Sequence, residues 1–163
     1  MTDYSVKTIL VATDLQPGSA AVLRHAQGLA TALGAKVHVL HVLEPLTKYA
    51  QSLVDSYISQ QVRERMEREG LEESRKELRQ KLMALCTEAG LDESERGAVL
   101  ADLRVESGIP FDVIVKTAQN VGSELVVVGS RGHTALGEML LGSVAHKVAM
   151  FSRVPVLLVP IHH

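Results

Sequence analysis

The alternation of strand and helix patterns is the feature that most constrains the fold of this chain. Five runs rich in Val, Ile and Leu alternate with segments whose apolar residues recur every three or four positions. The strand runs begin near Val6, Lys36, Val99, Leu125 and Val154. A strict strand–helix–strand order predicts a parallel sheet, because each crossover helix returns the chain to the same end of the sheet.

This order predicts an α/β fold with a single doubly wound five-stranded parallel sheet, strand order 3-2-1-4-5, and helices on both faces. The third strand alternates apolar and polar residues, which favours a position near a sheet edge. No linker, repeat or low-complexity tract interrupts the 163 residues, of which 46% are hydrophobic. We therefore expect residues 1–163 to form one domain.

The longest connection predicts a helix from about Asp55 to Ala89, interrupted or kinked near Gly70. Its apolar residues form a stripe comprising Ile58, Val62, Met66, Leu78, Leu82, Leu85 and Ala89. One interpretation of this charged segment is a partner-binding arm. The amphipathic pattern favours the other interpretation, in which the stripe packs on the sheet and the charges form the solvated outer face.

A glycine-rich segment, Gly129–Ser143, follows the fourth strand and precedes a short helix that Ser143 is expected to cap. Its spacing is Gly-x2-Gly-x9-Gly-Ser, from Gly129 through Gly132 to Gly142. Bare backbone N–H groups and the positive end of a helix dipole together favour phosphate binding. The segment lacks the Gly-Lys-Ser/Thr ending of a Walker loop and the G-x-G-x-x-G spacing of a dinucleotide fold.

Asp14 ends the first strand, and Gly129 ends the fourth. In the order 3-2-1-4-5 these two strands flank the switch point, where doubly wound sheets bind their ligands. Asp14 and the glycine segment are therefore predicted to face each other across one crevice. The alternative for Asp14 is a carboxylate that only caps the following helix.

The sequence here resembles the universal stress protein family, in the branch that binds ATP. The resemblance covers nearly the whole chain, through the motifs at Ala12–Asp14, Leu40–Leu43, Val127–Gly132 and Val154–Val159. It implies the adenine nucleotide alpha hydrolase-like fold and an ATP site, with or without Mg²⁺. The site residues that it implies are Ala12, Thr13, Asp14, Val42, Val128, Gly129, Arg131, Gly132, Gly142, Ser143 and Val144. Arg131 could pair with phosphate or point to solvent.

The bulk properties and the histidine spacing exclude other partners. A net charge of −2 gives no electrostatic case for nucleic acid, and no apolar run is long enough to cross a membrane. His38 and His41 are expected on opposite faces of one strand, and no Cys/His cluster has metal-site spacing. The single Cys86 and the absence of a signal peptide indicate a cytoplasmic protein.

Three functions remain open at this point. The leading hypothesis is a nucleotide-dependent regulatory or stress-response protein, because no catalytic base or carboxylate cluster accompanies the glycine segment. The alternatives are a slow ATPase or nucleotide hydrolase that uses Asp14, and an interaction module without nucleotide turnover.

A homodimer is expected through Val154–Val159, since this strand is apolar on both faces yet lies at a sheet edge. The family resemblance implies the same pairing.

Overall fold

The structure, a computed structural model, describes residues 3–91, 97–130 and 141–161. Its elements alternate along the chain much as the sequence predicts. The strands are β1 Thr8–Ala12, β2 Lys36–Leu43, β3 Leu100–Ser107, β4 Leu125–Gly129 and β5 Val156–Val159. The helices are α1 Ser19–Leu33, α2 Lys48–Asp55, α3 Gln60–Glu88, α4 Pro110–Asn120 and α5 Ser143–Phe151.

The five strands form one parallel sheet in the order β3-β2-β1-β4-β5, which confirms the predicted fold. β1 lies at the centre, with Leu10 aligned to His38 of β2 and to Val126 of β4. β3 and β5 are the two edge strands, as the sequence predicts for both. The order reverses between β1 and β4, so the switch point lies at their carboxyl ends.

Two buried clusters cover the two faces of the sheet. One contains side chains from α1 and from the carboxyl-terminal part of α3, packed on the alternate residues Ile9 and Val11 of β1. The other contains side chains from α4 and α5, packed on Leu10 between them. The period of two along β1 therefore divides the core between two helical layers.

Local signals in the sequence end or begin several of these helices. Gly34 ends α1 in a left-handed conformation with φ of 64°, and Pro110 occupies the first turn of α4. Helix α3 runs through Gly70 without interruption, contrary to the predicted break. None of the helices in the described ranges combines the length and apolarity that a bilayer crossing requires.

The connection between β2 and β3 differs most from the sequence prediction. Its residues form two helices, because Ser59 starts α3 by accepting a hydrogen bond from the Val62 N–H at 3.4 Å. Helix α2 was not predicted. Only Leu82, Leu85 and Cys86 of α3 are buried, so the prediction that the whole stripe packs on the sheet is wrong for the upstream residues.

Candidate functional site

A cleft of about 450 Å³ lies beyond the carboxyl ends of β1 and β4, at the switch point. Its size falls within the range of small-molecule sites. The turn after β1 and the start of α5 both contribute to its walls, together with the end of β2 and the first turn of α4. The lining residues are Ala12, Thr13, Asp14, Ser19, Val22, Leu40, His41, Val42, Glu44, Pro110, Ile114, Val128, Gly129, Gly142, Ser143, Val144, Ala145 and Ile161.

The turn between β1 and α1 is fixed by hydrogen bonds from its own side chains. The Asp14 carboxylate accepts from the Gln16 N–H at 3.1 Å and from the Ser19 hydroxyl at 3.3 Å. The Thr13 hydroxyl accepts from the N–H of Leu15, a residue in the left-handed region with φ of 60°. A non-glycine residue in this region carries backbone strain, which the surrounding hydrogen bonds offset.

Asp14 does not cap α1, which was the alternative interpretation of this residue. The cap position belongs to Gly18, and no side chain accepts a hydrogen bond there. Asp14 instead stabilises the turn that forms one wall of the cleft. Its exposed carboxylate also gives this wall a negative charge.

His41 connects the end of β2 to the same turn. Its Nδ1 lies 2.8 Å from the carbonyl oxygen of Thr13, and the Thr13 N–H donates to the carbonyl of Leu40 at 2.9 Å. Because a carbonyl can only accept, the Nδ1 atom carries the proton in this hydrogen bond. Both backbone groups of Thr13 are thus held by β2. His38 has a different partner, Asp102 on β3.

Gly129 occupies the floor of the cleft, and packing accounts for its lack of a side chain. A Cβ atom at this position would lie 2.5 Å from Ile161 Cδ1 and 3.1 Å from Val22 Cγ2. The sequence prediction assigned the glycines to close approach by phosphate. The close neighbour in the chain itself is Ile161, whose N–H donates to the Ser130 hydroxyl at 3.3 Å.

The first turn of α5 forms another part of the cleft wall. Ser143 is the first residue of the helix and Gly142 is its cap, so the prediction that Ser143 caps the helix is wrong by one position. The Gly142 carbonyl accepts from the His146 N–H at 2.9 Å. The N–H groups of the first helical turn, which includes Ser143 and Val144, have no partner inside a helix and favour an anion.

The charges that line the described part of the cleft are acidic. Asp14 and Glu44 contribute carboxylates, and no Lys or Arg lies among the lining residues that the structure describes. Phosphate binding here would depend on backbone N–H groups, on a bound cation, or on residues outside the described ranges. Within those ranges no group of three or more His, Cys, Asp and Glu side chains is arranged to hold a metal ion.

Nine of the eleven predicted site residues line this one cleft. They are Ala12, Thr13, Asp14, Val42, Val128, Gly129, Gly142, Ser143 and Val144. Arg131 and Gly132 lie outside the described residues. Sequence reasoning did not predict the contributions of His41, Glu44 and Ile161. Glu44 directly follows the end of β2, so its position along the chain was the available signal.

Fold and cleft together define a doubly wound α/β protein with a ligand-sized site at the switch point. Residues 5–160 match the Universal stress protein family profile. The chain is 35% identical to universal stress protein YxiE of Bacillus subtilis, over 93% of this chain and 97% of that one. It therefore belongs to the universal stress protein family.

Solved structures share the fold over nearly the full length. Protein MJ0577 of Methanocaldococcus jannaschii superposes with a TM-score of 0.73 at 29% identity, over 98% of this chain and 99% of that one. A universal stress protein solved in complex with cAMP superposes with a TM-score of 0.63 at 24% identity. That alignment covers 98% of this chain and 100% of the other.

Proposed function

We propose that this protein binds an adenine nucleotide, with ATP as the expected ligand, and acts as a nucleotide-dependent regulatory protein in a stress response. The observation that carries the proposal is the single cleft that both Asp14 and the first turn of α5 line. Backbone N–H groups of α5 supply the phosphate side, and the apolar residues Val42 and Val128 supply surface for the base. Universal stress protein membership supports this assignment.

The site residues that we propose for the nucleotide are those that the sequence implied. The turn at Ala12–Asp14 and the Val42 backbone would contact the nucleoside. Gly129, Gly142, Ser143 and Val144 would contact the ribose and phosphates, together with Arg131 and Gly132. The universal stress protein solved with cAMP is 24% identical to this chain, so the similarity supports the shared fold alone. The bound cAMP is a property of that other protein.

We further propose that the protein binds the nucleotide without efficient turnover. Phosphoryl transfer requires a positioned nucleophile and several groups that stabilise negative charge. The described lining residues offer two carboxylates and no Lys or Arg, and the Asp14 carboxylate already accepts two hydrogen bonds within its own turn.

A homodimer through β5 is also part of the proposal, because the edge strand keeps Val156, Leu157 and Leu158 only half-buried.

Mass spectrometry of the small molecules released from purified, heat-denatured protein tests the nucleotide assignment. An adenine nucleotide at near-stoichiometric amount is the expected result. Calorimetric titration with ATP, with and without Mg²⁺, then gives the affinity. Absence of binding at millimolar nucleotide would overturn the proposal, and phosphate release that Asp14→Ala abolishes would instead establish a hydrolase.

A further inference from the structure

The upstream part of α3 presents an apolar stripe to solvent. Val62 and Met66 are 44% and 60% exposed, and Gly70 continues the stripe one turn later. Residues four apart on a helix differ by about 40° in direction, so these three share one face. Leu82, which packs on the sheet, is 16 positions from Met66 and therefore points about 160° away from it. The stripe faces away from the core.

Helix α2 covers one flank of this stripe. The Gln51 amide donates to the Glu67 carboxylate at 2.6 Å, and Arg63 pairs with Asp55. The hydrogen bond and the charge of Asp55 raise the pKa of Arg63 above its usual value. We call residues 46–74 the helical arm. The opposite flank of the stripe, with Arg65 and Glu69, has no ion pair recorded within the described chain.

No contact among the described residues explains Gly70. Glycine is the least favourable residue in a helix interior after proline, yet a Cβ atom here would meet nothing within 4 Å. Within the part of the chain that the structure describes, steric contact therefore does not require glycine at this position. A bare backbone surface does allow another helix to approach closely.

Positive side chains before Met66 are matched by negative side chains at the same distances after it. Arg63 and Arg65 precede it, and Glu67 and Glu69 follow at the mirrored positions. Arg65 and Glu69 lie on the same side of Met66, about 1.5 Å before it and 4.5 Å after it along the helix axis. A two-fold axis at Met66 pairs two antiparallel copies of α3. It brings Arg65 of each copy to within about 3 Å, along the axis, of the partner's Glu69.

We propose that the arm is a homotypic interaction surface, on which α3 of a second copy binds antiparallel with Met66 at the two-fold axis. Val62 of each copy then packs over Gly70 of the other, and two Arg65–Glu69 pairs close the open flank. A second copy is favoured over another protein because the charge pattern complements itself. This contact differs from the proposed β5 dimer, because α3 packs on β3, at the opposite edge of the sheet from β5.

Cysteine cross-linking tests this arrangement directly. Residues at a two-fold axis face their own copies, so Met66→Cys protein should form a disulfide-linked dimer in oxidised glutathione. Arg68→Cys, about 160° away on the same helix, is the matched control and should cross-link at least about tenfold more slowly. Unaltered protein controls for Cys86, which is buried. Equal rates for the two variants would overturn the proposal.

A series of charge-reversal variants tests whether the molecule that binds the arm is a second copy of this chain. Arg65→Glu and Glu69→Arg should each raise the dissociation constant of the arm contact about tenfold in sedimentation velocity, because two attractive pairs become repulsive. The double variant should restore it. Arg68→Glu makes the same charge change on the far face and should have no effect. If the double variant stays as weak as the single ones, the surface binds a different partner and the self-association proposal is wrong.

Discussion

The two parts of α3 belong to one continuous helix, yet they meet different surroundings. Downstream, Leu82, Leu85 and Cys86 are buried against the sheet. Upstream, Val62 and Met66 are exposed, and the Gln51–Glu67 and Arg63–Asp55 contacts join α2 to α3 within the arm. The comparison shows that an amphipathic pattern alone does not identify the surface that an apolar stripe contacts. We therefore expect stability to depend on one part and assembly on the other.

The largest difference should come from truncating one apolar side chain in each part. Leu82→Ala should lower the free energy of unfolding by about 2–5 kcal/mol, because it leaves a cavity under a fully buried side chain. Met66→Ala should change it by less than about 0.5 kcal/mol at a concentration where the protein is monomeric. Urea denaturation of both variants makes the comparison, and a large loss for Met66→Ala would show that the arm packs on the body.

The same contrast between a crowded and an open position can be tested with two glycines, Gly129 at the cleft floor and Gly28 in α1. Gly129→Ala should cost about 1–3 kcal/mol, because the added Cβ would lie 2.5 Å from Ile161 Cδ1. Gly28→Ala, at an open position in α1, should instead stabilise the protein by up to about 1 kcal/mol. Thermal unfolding of both variants checks this. If Gly129→Ala is neutral, Ile161 moves aside, and a double variant with Ile161→Val should show no further gain.

Substitutions of His41 in the cleft should change the affinity for nucleotide, whereas a substitution in the helical arm should not. His41→Leu removes the hydrogen bond to the Thr13 carbonyl and should weaken nucleotide binding about tenfold, the effect of one lost hydrogen bond. His41→Asn can donate from a similar position and should retain most of the affinity. Tyr57→Ala, at an 84% exposed position in the arm, should leave the affinity unchanged. Calorimetric titration of the three variants distinguishes a positioning role from a general loss of stability.

The smallest effect concerns the glycines of two helices. Gly70→Ala should raise the stability of the monomer by about 0.5–1 kcal/mol, because glycine is unfavourable inside a helix and the new methyl group meets open space. Gly34→Ala should lower it by a similar amount, since φ there is 64°. Denaturation at low protein concentration measures both. A destabilising Gly70→Ala would mean that the chain itself uses this glycine.

Much of the fold was predictable because each local signal agreed with the global order. Runs rich in Val, Ile and Leu marked the strands, and Gly34 and Pro110 lie at helix boundaries, as their backbone preferences favour. Helix α2 was not predicted, because the predicted helix began only at about Asp55, where α2 ends. The packing of the long stripe was wrongly predicted, since a four-residue repeat drifts by about 40° per turn and carries Met66 to the far side from Leu82.

The sequence was sufficient to predict where the cleft lies, but it did not predict several of the contacts that form it. Parallel strands bring their carboxyl ends to one edge, so Asp14 and Gly129 were expected to lie near each other. The hydrogen bond of His41 to the Thr13 carbonyl depends on a register that only the structure gives. Ile161 lies beyond the last strand, where no motif indicated that it would reach the cleft floor.

The position of Ile161 has a consequence for protein synthesis. This side chain packs against the positions of Gly18 and Gly129, and its N–H binds Ser130, so it fills the floor of a cleft whose other walls are made earlier. Because a ribosome delivers the chain from the amino terminus, β1, β2 and β4 emerge before Ile161. A nascent chain that is still short of it lacks a finished site. If the proposed nucleotide binds in this cleft, we expect it to stabilise translation products that extend through Ile161 more than shorter ones.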